Sequence, residues 1–319
     1  MINQHPHGIT RIDADYVAPG LACVYLLREG DRLALIETGA AATVAQVLEE
    51  IGRQGLTPEA MDYIILTHIH LDHAAGAGEL MRLCPNAKLV VHPRGAPHMI
   101  SPEKLEAGTR AVYGDEEYER LYGALVPVPV ERVIEATDGM TIDWQGRELS
   151  FLDTPGHALH HVVIHDKRSN VVFTGDTFGL SYRQFDRPDG RFLLFVTTTP
   201  VHFDPQAMAR SIDRIAALTP EAVALTHYDL IPFSDGAVLQ LSESLQAFTE
   251  LALTAQGSGE ARVAEVAAGI LDWLTGRAMS MGNGLTESAV REWLAMDARL
   301  NAQGLEVWLN RREKPVQRD

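Results

Sequence analysis

The segment LTHIHLDH, residues 66–73, places three histidines and one aspartate in eight positions at the end of an apolar run. His68 and His70 are two residues apart, and in an extended segment this spacing puts both side chains on one side. Asp72 keeps the same alternation, and His73 follows where the chain turns. Zinc takes nitrogen and oxygen ligands in tetrahedral sites, so this segment predicts one part of a metal site.

The remaining ligands are expected at the ends of other strands. LDTPGHALHH offers His157 after a Pro-Gly turn, VVFTGDTFG offers Asp176 after a buried strand, and VALTHYD offers His227. Enzymes of the α/β class place their chemistry at the carboxyl edges of strands, which is where all three lie. Histidines without this context are interpreted as ordinary surface or core residues: His92, His98, His165 and His202.

The elements that must position these groups alternate between strands and helices. Residues 22–39 predict two strands around a turn at Gly30, and residues 41–55 predict an amphipathic helix. Thr57 and Pro58 indicate a helix start, and a buried strand ends at the histidine motif. The later elements are a helical insertion at about 101–123, short strands to about 174, a helix capped by Asp204, and a strand before His227. Three helices are predicted after residue 236.

Two segments repeat each other. LTPEAMDYIILTH at 56–68 and LTPEAVALTH at 218–227 share a capped turn, an apolar strand and a terminal Thr-His. This order predicts two related halves, each delivering a histidine from a strand end.

The ordered motifs resemble those of the metallo-β-lactamase-fold hydrolase superfamily, in its glyoxalase II-like branch. The resemblance rests on THIHLDH, GH at 156–157, TGD at 174–176, TH at 226–227 and the hairpin LIETG, and it covers roughly residues 15–235. It implies an α/β fold, a four-layer αββα sandwich of two mixed β-sheets flanked by helices, with a C-terminal helical appendage. The expected domains are a catalytic domain at 1–235 and a helical region at 236–319.

The resemblance also implies a binuclear metal centre. His68, His70 and His157 would hold a first metal. Asp72, His73 and His227 would hold a second, and Asp176 would bridge both. Zinc is the expected metal, with iron or manganese as alternatives. Two such ions ~3.5–4 Å apart generate a hydroxide at neutral pH, and Asp72 would orient it or take its proton.

Some residues depart from the family pattern. Glu37 stands in the hairpin where the family more often has aspartate, so a contact behind the metal ligands is expected to be rearranged. In GHALHH, His161 matches the second histidine of glyoxalase II relatives and is expected to hydrogen-bond behind the ligands. His160 replaces a glycine and is expected near the pocket. Tyr182 and Tyr228 are candidates for binding a carbonyl oxygen.

The formal net charge of −16 argues against a nucleic-acid groove. Cys23 and Cys84 do not form a disulfide framework, and neither a signal peptide nor an apolar run of ~20 residues is visible. A cytoplasmic protein with a small-molecule substrate and no membrane partner is expected, and a homodimer is an option. The basic tail RREKPVQRD is interpreted as solvated.

The favoured function is metal-dependent hydrolysis of a small ester, thioester or lactone. The main alternative is a persulfide dioxygenase of the same fold with one iron. A β-lactamase, a phosphodiesterase and a metal-binding protein without catalysis are less favoured.

Overall fold

The computed structural model describes residues 2–198, 201–282 and 284–313, without the side chains of residues 112 and 113. The chain divides into two compact units. The first holds the chain up to Asp153 together with His160–Gly175 and Pro220–Pro232, and the second holds Thr154–Leu159, Asp176–Thr219 and the chain from Phe233 onwards. The expected domain boundary near residue 235 stays a prediction, and the last six residues of the basic tail lie outside the described residues.

The first unit contains a seven-stranded mixed sheet whose strands follow one another in chain order. Its strands are β1 (Ile2–His5), β2 (Ile9–Asp13), β3 (Cys23–Glu29), β4 (Arg32–Ile36), β5 (Met61–Ile65), β6 (Lys88–Val91) and β7 (Val133–Glu135). Neighbours from β1 to β4 are antiparallel, and those from β4 to β7 are parallel. The hairpin predicted around Gly30 is therefore confirmed as β3 and β4.

A six-stranded mixed sheet completes the strands of this unit. Its strands are β8 (Thr141–Trp144), β9 (Arg147–Asp153), β10 (Val162–Asp166), β11 (Val171–Gly175), β12 (Ala222–Leu225) and β13 (Leu230–Pro232). Strands β11 and β12 are parallel, and the other neighbours are antiparallel. The repeat in the sequence has a structural counterpart, because β5 lies parallel to β4 just as β12 lies parallel to β11.

Alternation along the strands divides the apolar residues between two cores. In β3, Tyr25 and Leu27 belong to a core shared by both sheets, whereas Val24 and Leu26 face a core shared with helices. The helices of this unit are α1 (Thr43–Arg53), α2 (Leu71–Ala74), α3 (Ala77–Leu83), α4 (Ala96–Ile100), α5 (Glu103–Tyr113) and α6 (Asp115–Leu121). Strands buried on both faces give the near-continuous apolar runs seen in the sequence.

The segment expected to be a helical insertion, at about 101–123, contains the helices α5 and α6, which separate at Gly114 with a φ of 81°. The expected helix start at Thr57 and Pro58 is a single 3-10 turn, because β5 begins at Met61 directly after it.

The described part of the second unit is mainly helical. Its helices are α7 (Pro205–Ala216), α8 (Asp235–Thr254), α9 (Glu260–Met281) and α10 (Glu287–Glu313). Asp204 caps α7 as predicted, since its side chain accepts a hydrogen bond from the Ala207 amide. The three predicted C-terminal helices are confirmed. Of the described helices, none is both long enough and apolar enough to cross a membrane.

Candidate metal centre

The histidine motif begins directly beyond β5. The Leu66 amide donates to the Val90 carbonyl of β6, and the Thr67 carbonyl accepts from the Val162 amide of β10 at 2.8 Å, so one strand from each sheet fixes the backbone here. His70 keeps an extended conformation before α2 starts at Leu71. The chain therefore stays extended beyond the end of β5 and then turns into α2. This brings the four polar side chains of the motif into one region of the first unit.

A buried carboxylate, Glu37, organises this region. Its Oε2 accepts from the Thr67 amide at 3.2 Å, and its Oε1 accepts from the Thr67 hydroxyl and from His73 Nδ1, the latter at 3.1 Å. The Thr226 hydroxyl also lies 3.4 Å from Oε1. Glu37 adopts a left-handed backbone conformation with a φ of 65°, which is uncommon for a residue with a side chain. The expected contact behind the ligands is thus present, and it joins three segments.

Both copies of the Thr-His repeat converge on Glu37. Thr67 precedes His68 after β5, and Thr226 precedes His227 after β12. Each threonine hydroxyl donates to the same carboxylate oxygen. The repeated pair is therefore a device that anchors two histidine-bearing strand ends to one acid.

These contacts determine which nitrogen of each imidazole faces the centre. The Thr67 hydroxyl donates its hydrogen bond to Glu37, so it must accept the hydrogen bond from His68 Nδ1 at 3.1 Å. His73 Nδ1 donates to Glu37, and His227 Nδ1 donates to the Leu21 carbonyl at 2.8 Å. In the neutral form of each of these rings, Nε2 then carries the lone pair. Histidine ligands of metals typically donate their other ring N–H to a carboxylate or a backbone carbonyl in this way.

The Nε2 atoms point toward groups that can share an ion. Asp72 Oδ2 lies 3.6 Å from His73 Nε2 and 3.4 Å from His227 Nε2. A tetrahedral zinc with bonds of about 2.0–2.1 Å spaces its ligands by about 3.3 Å, so this donor set fits a metal. His68 Nε2 and His70 Nδ1 are 2.9 Å apart and form a second pair of converging nitrogens.

Glu37 is also close enough to His68 and His73 to be considered as a ligand, since their donor atoms lie within 4.8 Å of one another. Its oxygens are instead used by Thr67, His73 and Thr226. We therefore interpret Glu37 as an anchor of the ligands.

Two further expected ligands, His157 and Asp176, belong to the second unit. His157 Nε2 lies 3.6 Å from Asp176 Oδ2, and its Nδ1 lies 3.3 Å from the Thr197 carbonyl. Both side chains are buried. Gly156 is required before His157, because a Cβ there would lie 2.3 Å from the Met208 Cα.

The additional histidines of GHALHH lie in the first unit. His161 is fully buried, and its ring stacks on His68 with centroids 4.9 Å apart. The half-buried ring of His160 lies 5.6 Å from that of His70. The hydrogen bond expected of His161 behind the ligands stays a prediction. Sequence reasoning did not find Thr67, Thr226 and the Leu21 carbonyl, although the repeated Thr-His pair was a signal for the first two.

The two candidate tyrosines lie in different surroundings. The Tyr182 hydroxyl donates to Asp297 Oδ1 at 2.8 Å, and its ring packs near Phe195 and Trp293. Tyr228 is buried next to His227, and its carbonyl accepts from Arg11. A catalytic role for either tyrosine stays a prediction.

Comparison with known proteins assigns the family. The model of the metallo-beta-lactamase superfamily matches residues 18–227. The chain therefore belongs to this superfamily, most of whose members are metal-dependent hydrolases. Its two mixed sheets flanked by helices confirm the expected fold class.

Among its relatives, the metallo-beta-lactamase fold-containing protein ST1585 of Sulfurisphaera tokodaii is 28% identical over 217 residues, covering 67% of this chain and 75% of ST1585. The solved structure of ST1585 has a TM-score of 0.59 at 23% identity, covering 90% of this chain and 100% of that one. That of TTHA1429 from Thermus thermophilus has a TM-score of 0.62 at 19% identity, covering 91% and 89%.

The hydroxyacylglutathione hydrolase of Aeromonas salmonicida is 26% identical over 200 residues. The match covers 63% of this chain and 58% of that relative.

Proposed function

We propose that this chain is a metal-dependent hydrolase with a binuclear centre that cleaves a small ester, thioester or lactone. The observation that carries the proposal is the orientation of His68, His73 and His227, whose Nδ1 atoms are occupied by contacts within the protein. Imidazoles held in this way offer Nε2 to a metal without reorganisation, and such preorganisation is what a metal site needs.

In this proposal the ligands divide into two sets and one shared carboxylate. His68, His70 and His157 would hold the first ion, Asp72, His73 and His227 would hold the second, and Asp176 would serve both. The spacing of Asp72 from the two imidazoles supports the second set. Zinc is the proposed metal, because histidine nitrogens and carboxylate oxygens suit it, and iron and manganese accept the same ligands.

Bound divalent ions would lower the pKa of a coordinated water and polarise the carbonyl of the substrate. The residues of the chain prepare this chemistry. Asp72 is half-buried and close to two ligand imidazoles, so it can orient the attacking water or accept its proton. Glu37 accepts a hydrogen bond from His73 Nδ1 and so favours the tautomer that presents Nε2 to a metal. The protein contributes no covalent nucleophile in this scheme.

The substrate class is supported by kinship and charge. Hydroxyacylglutathione hydrolase is named for a thioester substrate and shares part of its sequence with this chain. The net charge of −16 disfavours polyanionic nucleic acid. We therefore propose a small acyl substrate. We also propose a cytoplasmic location, which the two free, buried cysteines support.

The test is reconstitution of the metal-free protein with zinc, iron or manganese, followed by metal analysis and turnover on panels of thioesters, esters, lactones and phosphodiesters. We expect two ions per chain and hydrolysis of at least one acyl class, removed by a chelator and restored by metal. Full metal occupancy without turnover of any acyl substrate would contradict the proposal. One iron per chain with oxygen uptake on a persulfide would replace it with the dioxygenase alternative.

A further inference from the structure

The loop that carries His227 is held by the N-terminal strands. The Tyr25 hydroxyl donates to the Leu225 carbonyl at 2.6 Å, and the Cys23 amide donates to the Thr226 carbonyl at 2.8 Å. Arg11 Nε donates to the Tyr228 carbonyl at 3.1 Å. Three backbone carbonyls around His227 therefore accept hydrogen bonds from side-chain or backbone donors of β2 and β3.

Asp229, two residues beyond His227, is held in the same way. Asn3 Nδ2 donates to its Oδ2 at 3.1 Å, and His5 Nε2 lies 3.0 Å from its Oδ1. Arg11 Nε lies 3.9 Å from Oδ2. The carboxylate is buried and also accepts from the Leu230 amide at 2.8 Å, so it fixes the end of the loop.

The register of the sheet explains why these residues act together. Asn3 lies opposite Arg11 across β1 and β2, and Arg11 lies opposite Tyr25 across β2 and β3. Directly opposite residues on neighbouring strands project toward the same face. One row of side chains across three strands therefore reaches the loop between β12 and β13.

We propose that an N-terminal clamp positions His227 for the second metal by holding residues 225–229. The clamp comprises Asn3, His5, Arg11, Cys23 and Tyr25, together with the Asp229 carboxylate that the first three of them contact. The inference rests on the proposed function, since it concerns a ligand of that centre. His227 is itself attached to the same part of the chain, because its Nδ1 donates to the Leu21 carbonyl. A loop tied at its backbone, its ligand ring and its final carboxylate keeps Nε2 in place when no ion is bound.

Part of the clamp lies outside the region shared with the superfamily model. The match begins at residue 18 and ends at residue 227, whereas Asn3, His5, Arg11 and Asp229 lie beyond these limits. The N-terminal segment thus adds a positioning function to residues that the shared motifs do not include. Residues that orient metal ligands typically change metal affinity 10–100-fold when they are mutated.

The experiment uses the chain of 319 residues and two clamp variants, Asp229→Asn and the double variant Asn3→Ala, His5→Ala. Gln4→Ala is the matched control for the double variant, because Gln4 lies between the two residues and projects to the other face of β1. Asp166→Asn is the matched control for Asp229→Asn. Asp166 is a buried carboxylate of the same unit that pairs with Arg147 and Ser169 instead of the loop.

The first measurement is titration of each metal-free protein with zinc in competition with a chromophoric chelator. We expect both clamp variants to bind the second equivalent at least about 10-fold more weakly, while the first equivalent changes less than about 3-fold. Both controls should bind two equivalents as the wild type does, even where Asp166→Asn lowers the melting temperature. Unchanged affinity for the second equivalent in both clamp variants would overturn the proposal.

The second measurement needs no metal. Hydrogen exchange of the peptide covering 222–230 is followed in the metal-free proteins, and exchange should be at least about 10-fold faster in the clamp variants than in the controls. A wild type that binds a single equivalent would contradict the binuclear hydrolase. The clamp would then be judged on exchange alone, and equal rates in all five proteins would refute it.

Discussion

Gly175, the middle residue of TGD, cannot accept a side chain without disturbing the centre. It has a φ of 48°, and a Cβ at this position would lie 2.3 Å from Thr67 Oγ1 and 2.7 Å from His161 Nε2. Thr67 cannot move away easily, because it is fully buried and its hydroxyl connects Glu37 with His68. We therefore predict that Gly175→Ala is strongly destabilising and that it weakens metal binding.

The loss in the free energy of unfolding that we expect for Gly175→Ala is the sum of two effects, which a second glycine of the chain allows us to separate. A left-handed conformation costs an alanine about 1–2 kcal/mol. Forcing extra volume into a packed site costs a further ~1–3 kcal/mol. Gly30→Ala is the matched control, because Gly30 has a φ of 58° and no heavy atom within 4 Å of the added Cβ. The control should lose about 1–2 kcal/mol in the free energy of unfolding, and Gly175→Ala about 2–5 kcal/mol.

The assay is urea unfolding of both metal-free variants beside the wild type, combined with zinc affinity measured by chelator competition. Displacement of Thr67 removes the partner that orients His68, so zinc affinity should fall about 10–100-fold in Gly175→Ala and stay unchanged in Gly30→Ala. If the two variants differ by less than about 0.5 kcal/mol and bind zinc equally, the packing around Thr67 and His161 is not as described.

Three further predictions concern ligands, thiols and acid stability. His68→Ala and Asp176→Ala should each remove hydrolysis while circular dichroism shows an intact fold, and a variant with full metal content and turnover would disprove the ligand assignment. Burial raises the pKa of the Cys23 thiol and raises that of Cys84 to about 11. A disulfide reagent at pH 8 should therefore react with neither thiol until urea is added. Fast reaction of the native protein would argue against their burial. Burial alone would raise the pKa of Asp166, but hydrogen bonds from Arg147 and Ser169 lower it. The stability that this carboxylate contributes is present above its ordinary pKa and is lost as the pH falls through the lowered value. The free energy of unfolding, measured from pH 7 to pH 2, should therefore fall in acid, and it should fall less in Asp166→Asn.

Much of the fold was accessible from the sequence because its local signals agree with its tertiary contacts. The hairpin at Gly30, the cap at Asp204 and the inserted helices each follow from turn residues, capping residues or helical spacing. The helix expected to start at Thr57 is only a 3-10 turn, since a helix-start signal does not reveal how soon the next strand begins. Such signals report local conformation and do not show how many residues the helix will contain before the next element begins.

The sequence by itself determined the types and the order of the expected metal ligands and the strand ends that carry them, because these are local properties of motifs such as THIHLDH. Only the tertiary structure decided which atoms face the centre. The tautomers of His68, His73 and His227 depend on Glu37 and on the Leu21 carbonyl, which are distant in the chain. The contribution of β1 to the loop of His227 was likewise invisible, because a hydrogen bond between residues more than 200 positions apart leaves no periodic pattern in a single sequence.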